Sequence, residues 1–155
     1  MKNTRVIDTC EVCGNNNLET VLDLGSHILC DNLKKVGDKS SSQKYPIKVL
    51  FCRQCFTAHQ SCQIDKNILF SDSYHYRARF TKDVVDGLNE LANSIEETLG
   101  DLQNKVVLDI GCNDGTLLDI FSEKGALTYG IEPTDAYQDA TGKKHTIFNE
   151  YFDKE

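Results

Sequence analysis

The sequence predicts an α/β protein in which a small β-rich zinc-binding domain precedes the start of a Rossmann-like sheet. Three observations predict it. Two Cys-x-x-Cys pairs, Cys10/Cys13 and Cys52/Cys55, bracket a first region rich in strand and turn residues. Apolar residues then recur at helical spacing from Phe80 to Leu99. Finally, Val106-Val107-Leu108-Asp109-Ile110-Gly111 runs as an apolar strand into an acid and a glycine-bracketed turn, and Tyr129-Gly130-Ile131-Glu132 ends a second apolar strand with another acid. The boundaries that follow are 1–68 for the zinc-binding domain, 69–104 for a helical connector and 105–155 for the N-terminal part of a Rossmann-like domain.

Each element has its own warrant. Leu18 to Leu24 reads as a short strand closed by Gly25, and the Lys/Gly/Asp/Ser run from Lys34 to Lys44 as a solvated loop. Tyr45, Ile47, Val49 and Phe51 alternate on one face of a second strand, with Pro46 tolerated near its start. The helix carrying Val84, Val85, Leu88, Leu91, Ala92, Ile95 and Leu99 has Thr81 or Ser73 as a capping residue and Gly100 at its C-terminal end. A strand over 105–110, a helix over 115–124 stopped by Gly125, a strand over 127–132, a helical start near Asp135 and a third strand at Thr146-Ile147-Phe148 complete the chain. Strand–helix–strand alternation implies a parallel sheet with right-handed crossovers. A doubly wound domain needs about five to seven strands and well over 100 residues. The expectation is therefore an incomplete sheet, completed by a missing C-terminal portion or by a partner subunit.

Composition narrows the function classes. The chain has 155 residues and a net charge of −7, with no Lys/Arg cluster, which argues against a nucleic-acid partner and against a zinc-ribbon nucleic-acid binder. No apolar run reaches the length a bilayer requires, and no apolar segment follows Lys2 and Arg5 as a secretory signal would demand. Seven cysteines without an export signal point to a reducing cytoplasm, where paired Cys-x-x-Cys elements mean metal more often than disulfide. Each pair places two thiolates on one side of a tight turn, so Cys10, Cys13, Cys52 and Cys55 supply a closed tetrahedral site for structural Zn²⁺. Gly14 follows the first pair, whereas Phe56 stands in the matching place of the second. Cys30, Cys62 and Cys112 read as small buried hydrophobes, and His27 and His59 as surface groups or as groups behind the ligands.

The glycine turn carries the chemistry. Asp109 lies two residues before Gly111, and Asn113 stands where dinucleotide folds place a glycine. That pattern points to S-adenosylmethionine over a dinucleotide or a plain βα turn. Asp109, Gly111, Asn113, Asp114, Gly115 and Glu132 are the cofactor-binding candidates, with Glu132 suited to the two hydroxyls of a ribose.

Taken with Leu24 to Leu33, Tyr45-Pro46-Ile47, Leu69-Phe70-Ser71-Asp72-Ser73-Tyr74-His75-Tyr76 and Gly130-Ile131-Glu132-Pro133, these motifs resemble, in order and over nearly the whole chain, the nucleotide-sugar C-methyltransferases. The resemblance implies an N-terminal zinc-binding domain, a central class I methyltransferase domain, of which only the opening is present, and a C-terminal domain. It puts the zinc on Cys10, Cys13, Cys52 and Cys55, the methyl donor on Asp109, Gly111, Asn113 and Gly115, its ribose on Glu132, and Tyr76 or Tyr74 beside the sugar as catalytic candidates. Two departures qualify it. Arg77-Ala78-Arg79 stands where the family has serines, so the arginines either hold a diphosphate or begin a solvated helix. The family's general base, a histidine in an Asn-x-x-x-His-like segment, has no match here, and His145 sits in the wrong context for it. The implied reaction is C-methylation next to a ketone of a nucleotide-linked sugar, with the 155-residue chain inactive alone. The alternatives are a sugar O-methyltransferase and a non-catalytic zinc-binding interaction module that docks on a partner subunit.

Overall fold

A computed structural model describes residues 4–30, 33–70 and 74–153, and the chain divides into two compact units, residues 1–69 and 70–155. Ser73, one of the two capping candidates, lies outside the described residues.

The first unit holds β1 (Thr4–Val6), β2 (Leu18–His27), β3 (Tyr45–Cys52), β4 (Thr57–Gln60), β5 (Cys62–Ile64) and α1 (Lys66–Leu69). β2, β3 and β4 form an antiparallel sheet in that order, and β1 pairs antiparallel with β5. Gly25 does not close β2. It sits in a register shift between Asp23 and Ser26, where the Asp23 carboxylate accepts from the Gly25 N–H at 2.9 Å, and pairing resumes through His27. The expected alternation of Tyr45, Ile47, Val49 and Phe51 also fails. Tyr45, Leu50 and Cys52 are the buried positions of β3, while Ile47 is exposed. A further register shift between Thr20 and Leu22 marks where β2 slips against β3. Both shifts put the extra residue on β2, so they change the face that β2 presents.

This unit has little apolar core. Among its described residues, the buried hydrophobics besides cysteine are Ile7, Tyr45 and Leu50. Val21, Leu22 and Leu24 of β2 are all exposed.

The second unit begins with a 3-10 turn (Ala78–Phe80) and α2 (Lys82–Leu99), capped in backbone by Thr81 and ended by Gly100, whose N–H reaches the Glu96 carbonyl. Then follow β6 (Val106–Ile110), α3 (Thr116–Glu123), β7 (Leu127–Ile131), α4 (Tyr137–Ala140) and β8 (Thr146–Phe148). β6, β7 and β8 form a parallel sheet in that order, so the third strand read from Thr146-Ile147-Phe148 is present. α3 lies on one face of it and α2 packs against α3. Ala92, Leu102, Phe121 and Ala126 make the core there, with Ile95, Val107, Leu117 and Ile120 packed against them. Burying each such Leu or Phe contributes roughly 1.5–3 kcal/mol. Strand periodicity sends Val106, Leu108 and Ile110 of β6 the other way, and these stay exposed, as do Leu127, Tyr129 and Phe148 on β7 and β8. Cys62 and Cys112 are buried as expected, but Cys30 is exposed in the segment after β2.

Candidate functional site

The first site is sulfur. The Sγ atoms of Cys10, Cys13, Cys52 and Cys55 all lie within 4.8 Å of one another. A tetrahedral zinc with Zn–S bonds of about 2.3 Å needs its sulfurs roughly 3.8 Å apart. Two edges of the cluster measure 3.5 Å (Cys10–Cys55) and 3.6 Å (Cys13–Cys52), so the four residues fit that ion. The backbone makes the two turns alike: the Gly14 N–H donates to the Cys10 carbonyl at 2.9 Å, and the Phe56 N–H donates to the Cys52 carbonyl at 2.8 Å. Both turns need positive φ, 74° at Gly14 and 59° at Phe56. Phenylalanine at such a φ is strained, so the second knuckle holds its shape against a local cost.

Groups behind the thiolates complete the centre. His59 Nε2 lies 3.2 Å from Cys10 Sγ, the Asn15 amide reaches Cys52 Sγ at 3.5 Å, and Thr57 Oγ1 lies 3.2 Å from Cys55 Sγ. The Asn15 amide is the chief cause that pulls Cys52 down to about 6, in the range where a thiolate is ready for metal. His27 is elsewhere, with Nε2 2.5 Å from the Leu24 carbonyl oxygen.

The second site is the turn between β6 and α3. Gly111 has φ 82°, and a Cβ built there meets nothing within 4 Å, so space above the turn is open for a ligand to approach the backbone. Asp109, at the end of β6, has no hydrogen-bond or ion-pair partner among the described residues. Burial first, and then the charge of Glu132, push its carboxyl up from the ordinary range. A half-buried acid with no counter-charge is a place where a cationic group binds favourably.

The other two acids bond within the turn. Glu132 is 5% exposed, and its Oε2 accepts from the Asn113 N–H (3.0 Å) while Oε1 accepts from Thr134 N–H (2.9 Å) and hydroxyl (2.5 Å). Asp114 is fully buried. Its Oδ1 accepts from Thr116 N–H and hydroxyl, and its Oδ2 accepts from the Arg79 N–H at 3.1 Å, with Arg79 Nη1 at 3.4 Å. The Asp114 side chain therefore ties down the start of α3 instead of facing open space. The N–H groups of Gly111 and Cys112 are also internal, both donating to the Ile131 carbonyl. Gly115 packs directly on Ala140.

Tyr74 and Tyr76 stand beside this turn, 6.4 Å apart by ring centroid, with Tyr76 40% exposed. Arg79 lies in the 3-10 turn that leads into α2 and is partly exposed, and both arginines are engaged by acids of the same unit. Arg77 donates to Asp139 and to the carbonyls of Tyr74 and Tyr76, and Arg79 to Asp114 and Asp139. The Arg77 guanidinium is largely covered, whereas that of Arg79 is partly exposed. Asp139 was missed because it lies 62 residues from Arg77 and carries no local signature; Asp114 stood out in the glycine turn, but its pairing with Arg79 did not. His145 is buried between Thr128 (2.7 Å) and Asp119 (2.9 Å), joining β7, α3 and the segment before β8.

Residues 10–70 match a family model described as "Putative zinc binding domain". Over 130 residues, 83% of this chain, the sequence is 28% identical to the C-methyltransferase NovU of Streptomyces niveus, and the match spans 31% of that relative. The chain is thus similar to a methyltransferase over most of its own length, and it spans about a third of the length of that relative. A solved protein assigned as a methyltransferase of an antibiotic biosynthesis pathway in Anabaena variabilis ATCC 29413 aligns with 40% of this chain and 26% of its own, at 23% identity and a TM-score of 0.35. Among the described residues, no helix is long and apolar enough to cross a membrane.

Proposed function

We propose that the protein of which this chain is a portion transfers a methyl group from S-adenosylmethionine to the carbon next to a ketone in a nucleotide-linked sugar. The observation that carries the reading is Asp109: an acid without a partner beneath open space at Gly111, where the cationic methionine end of the donor would lie. The relative NovU is a C-methyltransferase, which supports the same chemistry. When bound, the donor supplies an electrophilic methyl on a sulfonium. The residues here orient and shield. Asp109 faces positive charge, Glu132 retains one lone pair on Oε2 for a ribose hydroxyl, and Tyr74 and Tyr76 border the acceptor side. Asn113, Asp114 and Gly115 shape the turn. The zinc is architectural, because four thiolates leave it no open position. A reducing compartment, the cytoplasm, keeps those thiolates available.

The test is calorimetric titration of S-adenosylhomocysteine into the chain and into Asp109→Asn. Binding that weakens about tenfold or more in the variant is expected. Equal affinity in both would remove Asp109 from the site. For the whole protein, incubation of donor with a nucleotide-linked ketosugar is expected to add one methyl on carbon, and a methyl on oxygen would move the reading to O-methyl transfer. The uncovered apolar face of Val106, Leu108 and Ile110 favours a second reading, a module that docks on a partner. Donor binding by the chain would rule out a purely non-catalytic role.

A further inference from the structure

Asn113 occupies a left-handed backbone position, φ 52°, that asparagine tolerates better than most residues. That conformation turns its side chain toward the segment before α2. Its Nδ2 donates to the Tyr76 carbonyl at 3.0 Å, and its Oδ1 accepts from the Ala78 N–H at 3.1 Å. A primary amide presents donor and acceptor on one edge, so it pairs with the backbone on either side of Arg77 much as a neighbouring strand would. Asp114 continues the pairing by accepting from the Arg79 N–H at 3.1 Å. On the far side Arg77 closes the segment on itself, with Nη1 donating to the carbonyls of Tyr74 (2.7 Å) and Tyr76 (2.9 Å) and Nε donating to Asp139 at 2.6 Å. Meanwhile the Asn113 N–H donates to Glu132. One continuous set of hydrogen bonds therefore runs from Glu132, through Asn113, to the carbonyls that carry Tyr74 and Tyr76.

We propose that Asn113 and Arg77 are positioning residues that latch the tyrosine segment to the glycine turn, so that occupation of the donor site orders the acceptor-side tyrosines. The proposal rests on the donor reading of the turn. Its logic is mechanical. A ligand that fixes Glu132 and the backbone at Gly111 also fixes Asn113, because its N–H is held by Glu132. Fixing Asn113 fixes the Tyr76 carbonyl and the Ala78 N–H. Arg77 thereby acquires a use: its guanidinium fork reaches two carbonyls and a carboxylate at once, which the single nitrogen of a lysine would match poorly. Carboxylates at both ends, Asp114 and Asp139, keep the two arginines from being drawn away by a diphosphate.

The experiment is amide hydrogen exchange, read by NMR on the full chain, with and without S-adenosylhomocysteine. Asn113→Gly is the main variant, since glycine accepts the positive φ and only the side chain is lost. In the wild type, the Ala78 and Arg79 amides are expected to be protected and to slow about tenfold further with the ligand. In Asn113→Gly they are expected to exchange about tenfold faster, with no ligand response, while Leu102 and Val107 amides in the core keep their rates. Arg77→Lys gives the same result at Tyr76 and Ala78, and it serves if the glycine variant fails to fold. Unprotected Ala78 and Arg79 amides in the wild type would overturn the latch. So would ligand binding, seen calorimetrically, that leaves those amides unchanged. Absence of any binding heat with the two amides still protected would sink the donor reading and, with it, the coupling; the heat signal separates that failure from the other two.

Discussion

The two units solve the stability problem by different means. Residues 1–69 bury few apolar side chains, and β2 is exposed along almost its whole length, yet four sulfurs converge to within 4.8 Å. Residues 70–155 lack such a cluster among the described residues and instead pack α3 on one sheet face and α2 against α3. The first unit spends its information on four ligands and two tight turns. The second spends it on volume and on a polar network around Asn113 and Asp114. A metal-held region should fail when the ion leaves, and a packed region should fail when volumes change.

The largest effect tests this directly. Stripping zinc with a strong chelator is expected to unfold residues 1–69, since structural zinc in small modules supplies about 10–16 kcal/mol of apparent binding free energy that is also folding free energy. Amide resonances of β3 and β4 should collapse to unfolded shifts while those of β6 and β7 hold. Simultaneous loss of both sets would show that the units do not fold separately. Next comes Gly130→Ala. A Cβ there would sit 2.6 Å from Cys112 Sγ, 2.8 Å from Leu118 Cδ1 and 2.9 Å from Ile147 Cδ1. Overpacking of that kind costs about 1–3 kcal/mol. Denaturant unfolding should show the loss in the second unit alone, with zinc affinity untouched.

Smaller effects sharpen the contrast. Phe56→Gly relieves the positive φ of the second knuckle and is expected to stabilise the metal-bound first unit by about 1 kcal/mol. Reduced resistance to chelation would mean the aromatic ring, 6.3 Å from that of Phe51, matters more than the strain. The last is electrostatic. Hydrogen bonds from Arg77, then from Arg79, hold the Asp139 carboxyl below the ordinary aspartate range. A carboxylate depressed in the folded state adds stability that is present above its unfolded pKa, about 3.9, and is lost as pH falls through the folded value. Thermal unfolding of the second unit should thus weaken below about pH 4 more steeply in the wild type than in Asp139→Asn. Identical slopes would deny Asp139 that part.

Sequence revealed the elements whose signals are local. Two Cys-x-x-Cys pairs marked the metal centre, and Thr146-Ile147-Phe148 marked β8, because spacing and strand composition are properties of a few neighbouring residues. It failed where distant partners decide. Tyr45 and Phe51 share a strand parity, yet the buried positions toward the end of β3 are Leu50 and Cys52. Gly25 read as a stop because glycine ends strands, but Asp23 made it part of a bulge. The arginines could not be placed, since their partners are an acid in the turn and another in α4. Asp114 is buried and bonded to Thr116 and Arg79, a cap role the sequence did not reveal, because acids next to glycines serve caps as readily as cofactors.

The bare side of β6, with Val106, Leu108 and Ile110 in a row, has a consequence for handling this protein inside a cell. Such a stripe is what hydrophobe-binding chaperones recognise, and until something covers it, a freshly made molecule competes between holdase capture and clumping with its siblings. Expression at low temperature with chaperone co-production should therefore raise soluble yield more than any change to the zinc supply.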